Sequence, residues 1–209
     1  APSTIDRIKL KLELFDEYGF FPAAGDRHIA EFFEGYLRDL DVAEVKYGIK
    51  PTSIEERGES WLAASRAYVQ GMLEENFPLP QEKSSETISE VLAALSGGIQ
   101  PVTDVMNLSN TGQIENLPDN SIVETLGRIS TDSAQPLSSI VLPAPLRDLL
   151  LPHAENQALI VKAALEGDRA AALEMLRRDP LSRNSTDLEK MFDELLAAHR
   201  DYLPNFWKS

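Results

Sequence analysis

The spacing of apolar positions changes twice along the chain, helical at both ends and strand-like in between. Ile5, Ile8, Leu10, Leu12, Leu14 and Phe15 predict a helix over residues 3–18, with Ser3 or Thr4 as N-cap and Gly19 as its stop. An apolar loop follows, Phe20-Phe21-Pro22-Ala23-Ala24-Gly25. Asp26 then caps a second helix with Ile29, Phe32, Phe33, Tyr36 and Leu37 on one face. Residues 41–53 read as a short irregular or strand segment ending at Pro51-Thr52. Ile54 to Glu75 predicts a long amphipathic helix bearing Trp61, Leu62, Tyr68, Val69, Met72 and Leu73. A polar, proline-bearing connector over 76–85 leads to a helix from Thr87 to Leu95, stopped by Gly97-Gly98.

In the middle, Val102 to Leu108, Ser121 to Ile129 and Leu137 to Val141 are short, β-branched and separated by turn residues. They predict a small antiparallel sheet of about three strands. From Pro143 onward the pattern is helical again: Pro145 to Glu166, Arg169 to Arg177 and Leu188 to Tyr202. The tail from Tyr202 is rich in aromatic residues and is expected to dock rather than hang free. Helices, then strands, then helices argue for an α+β domain rather than a doubly wound sheet. No strand, Gly-x-Gly-x-x-Gly and helix unit occurs, so the residues offer no dinucleotide cradle.

Composition narrows the function. With 20 basic and 34 acidic side chains the formal charge is −14, which repels nucleic acid and anionic membranes but leaves room for one local basic pocket. There is no cysteine, so a disulfide framework, a thiolate metal site and a cysteine nucleophile are excluded within these 209 residues. This fits a reducing compartment, and a cytoplasmic location is expected. No apolar run is long enough to span a bilayer. The first residue is Ala1, already close to a helical pattern, and the chain reads as a piece of a larger protein.

Two polar clusters could carry chemistry. The first is Gly25-Asp26-Arg27-His28, with Glu31 one turn on. It could be no more than a helix start, with Asp26 as cap and Arg27 and Glu31 as an i,i+4 pair. Its place after an apolar loop argues for a sheltered site instead. There Asp, Arg and His would supply a base, a forked donor and a neutral hydrogen-bonding group, and a helix N-terminus would favour an oxygen-rich or anionic ligand. The second cluster, Asn107, Asn110, Gln113 and Asn116, is either a wide β-connection or an amide-lined wall for a polyhydroxylated ligand. His153 and His199 lie on helices and read as structural.

The run Phe21-Pro-Ala-Ala-Gly-Asp-Arg-His-Ile-Ala-Glu-Phe-Phe33 resembles a segment of the family 4 glycoside hydrolases. So do residues 107–124, Glu155 to Arg169, Asp179-Pro-Leu181 and His199-Arg-Asp-Tyr-Leu-Pro204, in the family's order and over essentially the whole chain. The resemblance is to the family's C-terminal, substrate-side domain, nearest the α-glucosidase, α-galactosidase and α-galacturonidase branch. It implies a fold like the C-terminal domain of lactate/malate dehydrogenase-like enzymes. It also implies cleavage of α-glycosidic bonds by oxidation, elimination, addition and reduction, using NAD and manganese or another divalent metal.

By this resemblance Asp26 is the candidate base. Arg27 and His28 hold sugar oxygens or a uronate carboxylate, and Asn107 and Asn110 line the far wall. NAD, the metal and their ligands are expected in an N-terminal domain outside this chain, which alone would be folded but inactive, with no metal ligand of its own. A homo-oligomer is implied, with no nucleic-acid or membrane partner. Two other readings stay open: a non-catalytic sugar-binding or oligomerisation module, and the substrate domain of a 2-hydroxy-acid dehydrogenase.

Overall fold

Leu10 and Leu14, one helical turn apart, are the most deeply buried large apolar side chains, and the N-terminal part of the molecule is built on them. The structure is a computed structural model and describes residues 5–74, 77–78, 82, 86–137 and 139–208. The two leucines belong to α1 (Lys9–Tyr18), which ends where Gly19 turns left-handed at φ 73°. They pack with Ile29 and Ala30 of α2 (Asp26–Ala30) and with Ala43 and Tyr47 of α3 (Leu40–Tyr47). Burying a leucine side chain fully contributes about 1.5–3 kcal/mol, so this small cluster fixes three elements against one another. The expected caps Ser3 and Thr4 lie outside the described residues.

Two expectations for this part are corrected. The helix begun at Asp26 stops at Ala30, and the following turns include Gly35 at φ +103°, which no continuing helix allows. Phe33, Tyr36 and Leu37 still reach the same cluster. Residues 41–47 of the expected irregular segment 41–53 are helical, since Asp39 caps α3 by accepting the N–H groups of Asp41 and Val42 at 3.1 and 3.0 Å. The pattern hid this helix because Ala43 and Tyr47 are its only buried residues.

The helix expected from Ile54 contains a π-helix (Glu56–Trp61) followed by α4 (Leu62–Met72). The apolar side chains of α4 are at helical spacing, yet none is buried. After α5 (Ile88–Leu95), β1 (Val102–Ser109) pairs antiparallel with β2 (Ile122–Ser130), from Val102 opposite Ile129 to Ser109 opposite Ile122. The third strand, β3, is Ser133–Pro136 and pairs with the end of β2. Asp132 at φ 53° supplies the tight turn between them. Of residues 137–141, expected as that strand, Ser138 lies outside the described residues, the Leu137 N–H donates to the Leu126 carbonyl at 3.0 Å, and Ile140 makes a single parallel bridge to Ile114.

The C-terminal helices follow the sequence closely: α6 (Ala144–Glu166), α7 (Arg169–Arg178) and α8 (Leu188–Ala198), the last followed by two short 3-10 turns. The tail docks on this chain. Phe206 meets Phe192 edge-on, and the Asn205 amide donates to the carbonyls of Ala164 and Leu165 at the end of α6. Gly167 is required there twice over, since its φ is +67° and a Cβ would run into the Asn205 carbonyl.

Candidate functional site

The first turn of any helix leaves backbone N–H groups without partners inside the helix. In α1 two of these are taken by a side chain from sixteen residues later. Asp26 Oδ2 accepts the Leu10 N–H at 2.9 Å and Oδ1 accepts the Lys11 N–H at 3.2 Å, in a position only 6% exposed. Asp26 therefore caps α1 across the fold and not its own helix, whose N-cap is Gly25 with no side-chain bond.

Through this cap the residues just before Leu10 are held against the Asp26-Arg27-His28 turn. A cavity of about 820 Å³ opens there, lined by Arg7 and Lys9 from one side and Asp26, Arg27 and His28 from the other. Tyr47 at the end of α3, with Gly48 and Ile49 after it, continues the wall, and Arg57 and Trp61 of the π-helix complete it. The volume lies within the range of ordinary small-ligand sites. A smaller cavity of about 160 Å³ shares Arg27, Glu31, Thr52 and Arg57 with it.

The charge of this wall runs against the rest of the chain. Four permanent cations line it, Arg7, Lys9, Arg27 and Arg57, in a protein whose formal charge is −14. Arg27 is held by a hydrogen bond from Nη2 to Thr52 Oγ1. Among the described residues Arg7, Arg27 and Arg57 have no carboxylate partner, nor do Arg66, Arg128 and Arg200 outside the cavity, whereas Arg38, Arg147, Arg169, Arg177, Arg178 and Arg183 do. Of the three cavity carboxylates, Asp26 is bound to backbone N–H groups and Glu44 lies 3.7 Å from Lys50, leaving Glu31. Three guanidinium groups thus face one space with their donors unmatched by carboxylate. His28 is exposed at the same wall, and its imidazole has no hydrogen-bond partner among the described residues.

The expected site is therefore partly assembled. Asp26, Arg27 and His28 come together, but α2 has only five residues, so its dipole is no basis for anion binding. Asn107 and Asn110 do not line this cavity. Asn107 is exposed on β1 opposite Glu124. Asn110 is buried, donating to the carbonyls of Ile114, Leu117 and Pro118 and accepting from the N–H groups of Gly112 and Ile114. Gln113 and Asn116 likewise bond to Ser109 and Leu142. These amides organise the connection between β1 and β2, which is why the sequence concentrates them there.

His153 and His199 are structural. His153 Nε2 lies 3.2 Å from the Phe32 carbonyl with its ring edge-on to Phe32, and His199 Nδ1 lies 2.9 Å from the Leu195 carbonyl. Sequence reading missed Arg7, Lys9, Thr52, Arg57 and Trp61 as wall residues. The one local signal was Gly58 inside an otherwise helical pattern, which marks an irregular turn.

The described residues do not fit a dinucleotide or a metal. The sheet is antiparallel, without the strand-to-helix glycine turn that cradles a pyrophosphate. No group of three or more His, Asp or Glu is placed among them to hold an ion. No helix among them is long and apolar enough to cross a membrane.

Comparison with known proteins places the family and the fold. The family model described as the family 4 glycosyl hydrolase C-terminal domain matches residues 2–182. An α-galacturonidase of Thermoanaerobacter italicus is 38% identical over 202 residues, covering 93% of this chain and 43% of the relative. An α-galacturonidase of Bacillus subtilis is 34% identical over 190 residues, covering 90% and 41%. The chain thus spans about two fifths of the length of these curated relatives. Among solved structures, the Bacillus subtilis protein lplD, described as a glucosidase, superposes with a TM-score of 0.82 at 32% identity, over 90% of this chain and 43% of that one. A Thermotoga maritima 6-phospho-β-glucosidase, solved with manganese, NAD⁺ and glucose-6-phosphate, shares the fold at a TM-score of 0.67 and 18% identity, over 93% and 46%.

Proposed function

The chain belongs to the family 4 glycosyl hydrolases as their C-terminal domain, and from that premise we propose that its basic cavity binds the sugar of an α-galacturonide. The observation that carries this reading is the convergence of Arg7, Arg27 and Arg57, none of them ion-paired among the described residues, on one cavity of an acidic chain. Neutral sugars offer such a cluster nothing that water does not. A uronic acid offers a carboxylate, whose two oxygens match the guanidinium fork. The names of the relatives point the same way.

In this reading Arg27, fixed by Thr52, binds the sugar carboxylate or a neighbouring hydroxyl, and the exposed His28 imidazole bonds a ring hydroxyl. Asp26 stands as the proton-accepting base. A carboxylate has about four lone-pair sites and the two backbone N–H bonds fill two, so it keeps acceptor capacity while being held in place. NAD and manganese belong, in this reading, to the part of the whole protein outside these residues, as does the dinucleotide-binding domain. The four-stage cleavage and a homo-oligomeric, cytoplasmic protein complete the proposal.

The test is Arg27→Ala and His28→Ala in the whole enzyme, supplied with NAD⁺ and Mn²⁺ and assayed on an aryl α-D-galacturonide. A hydrogen bond to a charged group contributes about 1.5–3 kcal/mol, so KM should rise roughly tenfold or more for Arg27→Ala and less for His28→Ala. Unchanged KM in both variants would remove the cavity from substrate binding.

A further inference from the structure

We infer that the π-helix is the specificity element of this cavity, with Arg57 reading the sugar's carboxylate and Trp61 carrying the face of its ring. This rests on the proposed uronide reading and goes beyond it by naming the residues that would separate an acidic from a neutral sugar.

The two residues lie four positions apart on Glu56–Trp61, and both line the cavity. Arg57 has no ion-pair or side-chain hydrogen-bond partner among the described residues, and it borders the smaller cavity together with Arg27. A guanidinium that borders the same small cavity as a second one, and has no carboxylate partner among the described residues, is placed to take a ligand anion. Trp61 is 62% exposed at the same wall, so the described residues leave most of its indole uncovered. Its flat apolar face suits the C–H side of a pyranose ring, while the ring hydroxyls remain free for the polar wall opposite.

The backbone supports the assignment. A π-helical turn is rare, occurs mostly as a single turn within α-helices, and is frequent at functional sites. Here it interrupts what the apolar spacing would make one continuous helix, and it is the turn that carries both side chains. Arg27 alone is tied to Thr52, so the second, untethered guanidinium of Arg57 completes a two-armed clamp.

The experiment compares an aryl α-D-galacturonide with the matching α-D-galactoside in the whole enzyme, with NAD⁺ and Mn²⁺. For Arg57→Gln, kcat/KM on the galacturonide should fall at least ten times more than on the galactoside, chiefly through KM, and Arg57→Lys should recover part of the loss. For Trp61→Ala, KM should rise by similar factors on both sugars, with Trp61→Phe intermediate. Thermal midpoints should hold, because both side chains are exposed. Equal losses on the two sugars with Arg57→Gln, or no change with Trp61→Ala, overturn the assignment while leaving the uronide reading standing. A parent enzyme that does not turn over the galacturonide overturns both.

Discussion

The Asp26 carboxylate and the Leu10 N–H, sixteen residues apart, are joined at 2.9 Å, so the turn that presents Arg27 and His28 is also the cap of α1. Substituting Asp26 therefore acts on the fold as well as on chemistry. In Asp26→Asn the side-chain oxygen keeps one N–H bond, while the new NH₂ faces the other donor and leaves it unmatched. A loss of about 1–3 kcal/mol of stability is expected, larger than at an ordinary cap where Asn replaces Asp freely. If Asp26 is also the base, activity per folded molecule of the whole enzyme falls by a further hundredfold or so, and a substrate deuterated at carbon 2 shows a larger isotope effect. Lost stability with unchanged activity per folded molecule would leave Asp26 as a cap only.

Behind the cavity, Glu13, Lys46, Tyr36 and Tyr47 form a polar cluster. Lys46 Nζ, 2.8 Å away, lowers the Glu13 pKa; burial opposes this, and the Tyr47 hydroxyl at 2.9 Å adds to the lowering. A lowered carboxyl contributes stability that is present above its ordinary value of 4.5 and is lost as pH falls through the folded value. Because the pair is largely exposed, solvent screening keeps this contribution small. Urea midpoints of Glu13→Gln should approach those of the parent as the pH drops below that range. A constant gap down to strong acid would contradict the assignment. On the alkaline side, burial pushes Tyr36 up to about 12, so its contribution is complete below 10 and fades as pH rises through 12.

Asn110 makes bonds in both directions inside the β1–β2 connection. Asn110→Asp replaces a buried donor with an acceptor facing the carbonyls of Ile114, Leu117 and Pro118, and about 3 kcal/mol of destabilisation is expected. Asn107→Ala, on an exposed strand position, should change stability by less than about 0.5 kcal/mol. A stable Asn110→Asp protein with raised KM would restore Asn110 to the substrate wall.

What could be read in the sequence follows from how each element is fixed. α6 and α7 were legible because apolar spacing, Pro143 and Gly167 are local signals. The Gly19 stop was legible for the same reason. α3 was not, because a cap at Asp39 and two buried residues decide it while Val42 and Val45 stay exposed. The third strand was displaced because Asp132 adopts a left-handed turn that its residue type permits but does not announce. At the site, Asp26, Arg27 and His28 are contiguous and could be found together. Arg7 reaches the same cavity through the cap from Asp26 to α1, and Arg57 and Trp61 come to it from the π-helix, far along the chain.

The central claim is that this domain gives its enzyme a site for an acidic sugar. The most direct measurement is the ratio of kcat/KM for an aryl α-D-galacturonide over the matching α-D-galactoside, taken with the whole enzyme, NAD⁺ and Mn²⁺ at low and high salt. Arginine–carboxylate recognition predicts a ratio on the order of a hundred or more that shrinks as salt screens the cavity. A ratio near one, or a preference for the galactoside at every salt concentration, would contradict it.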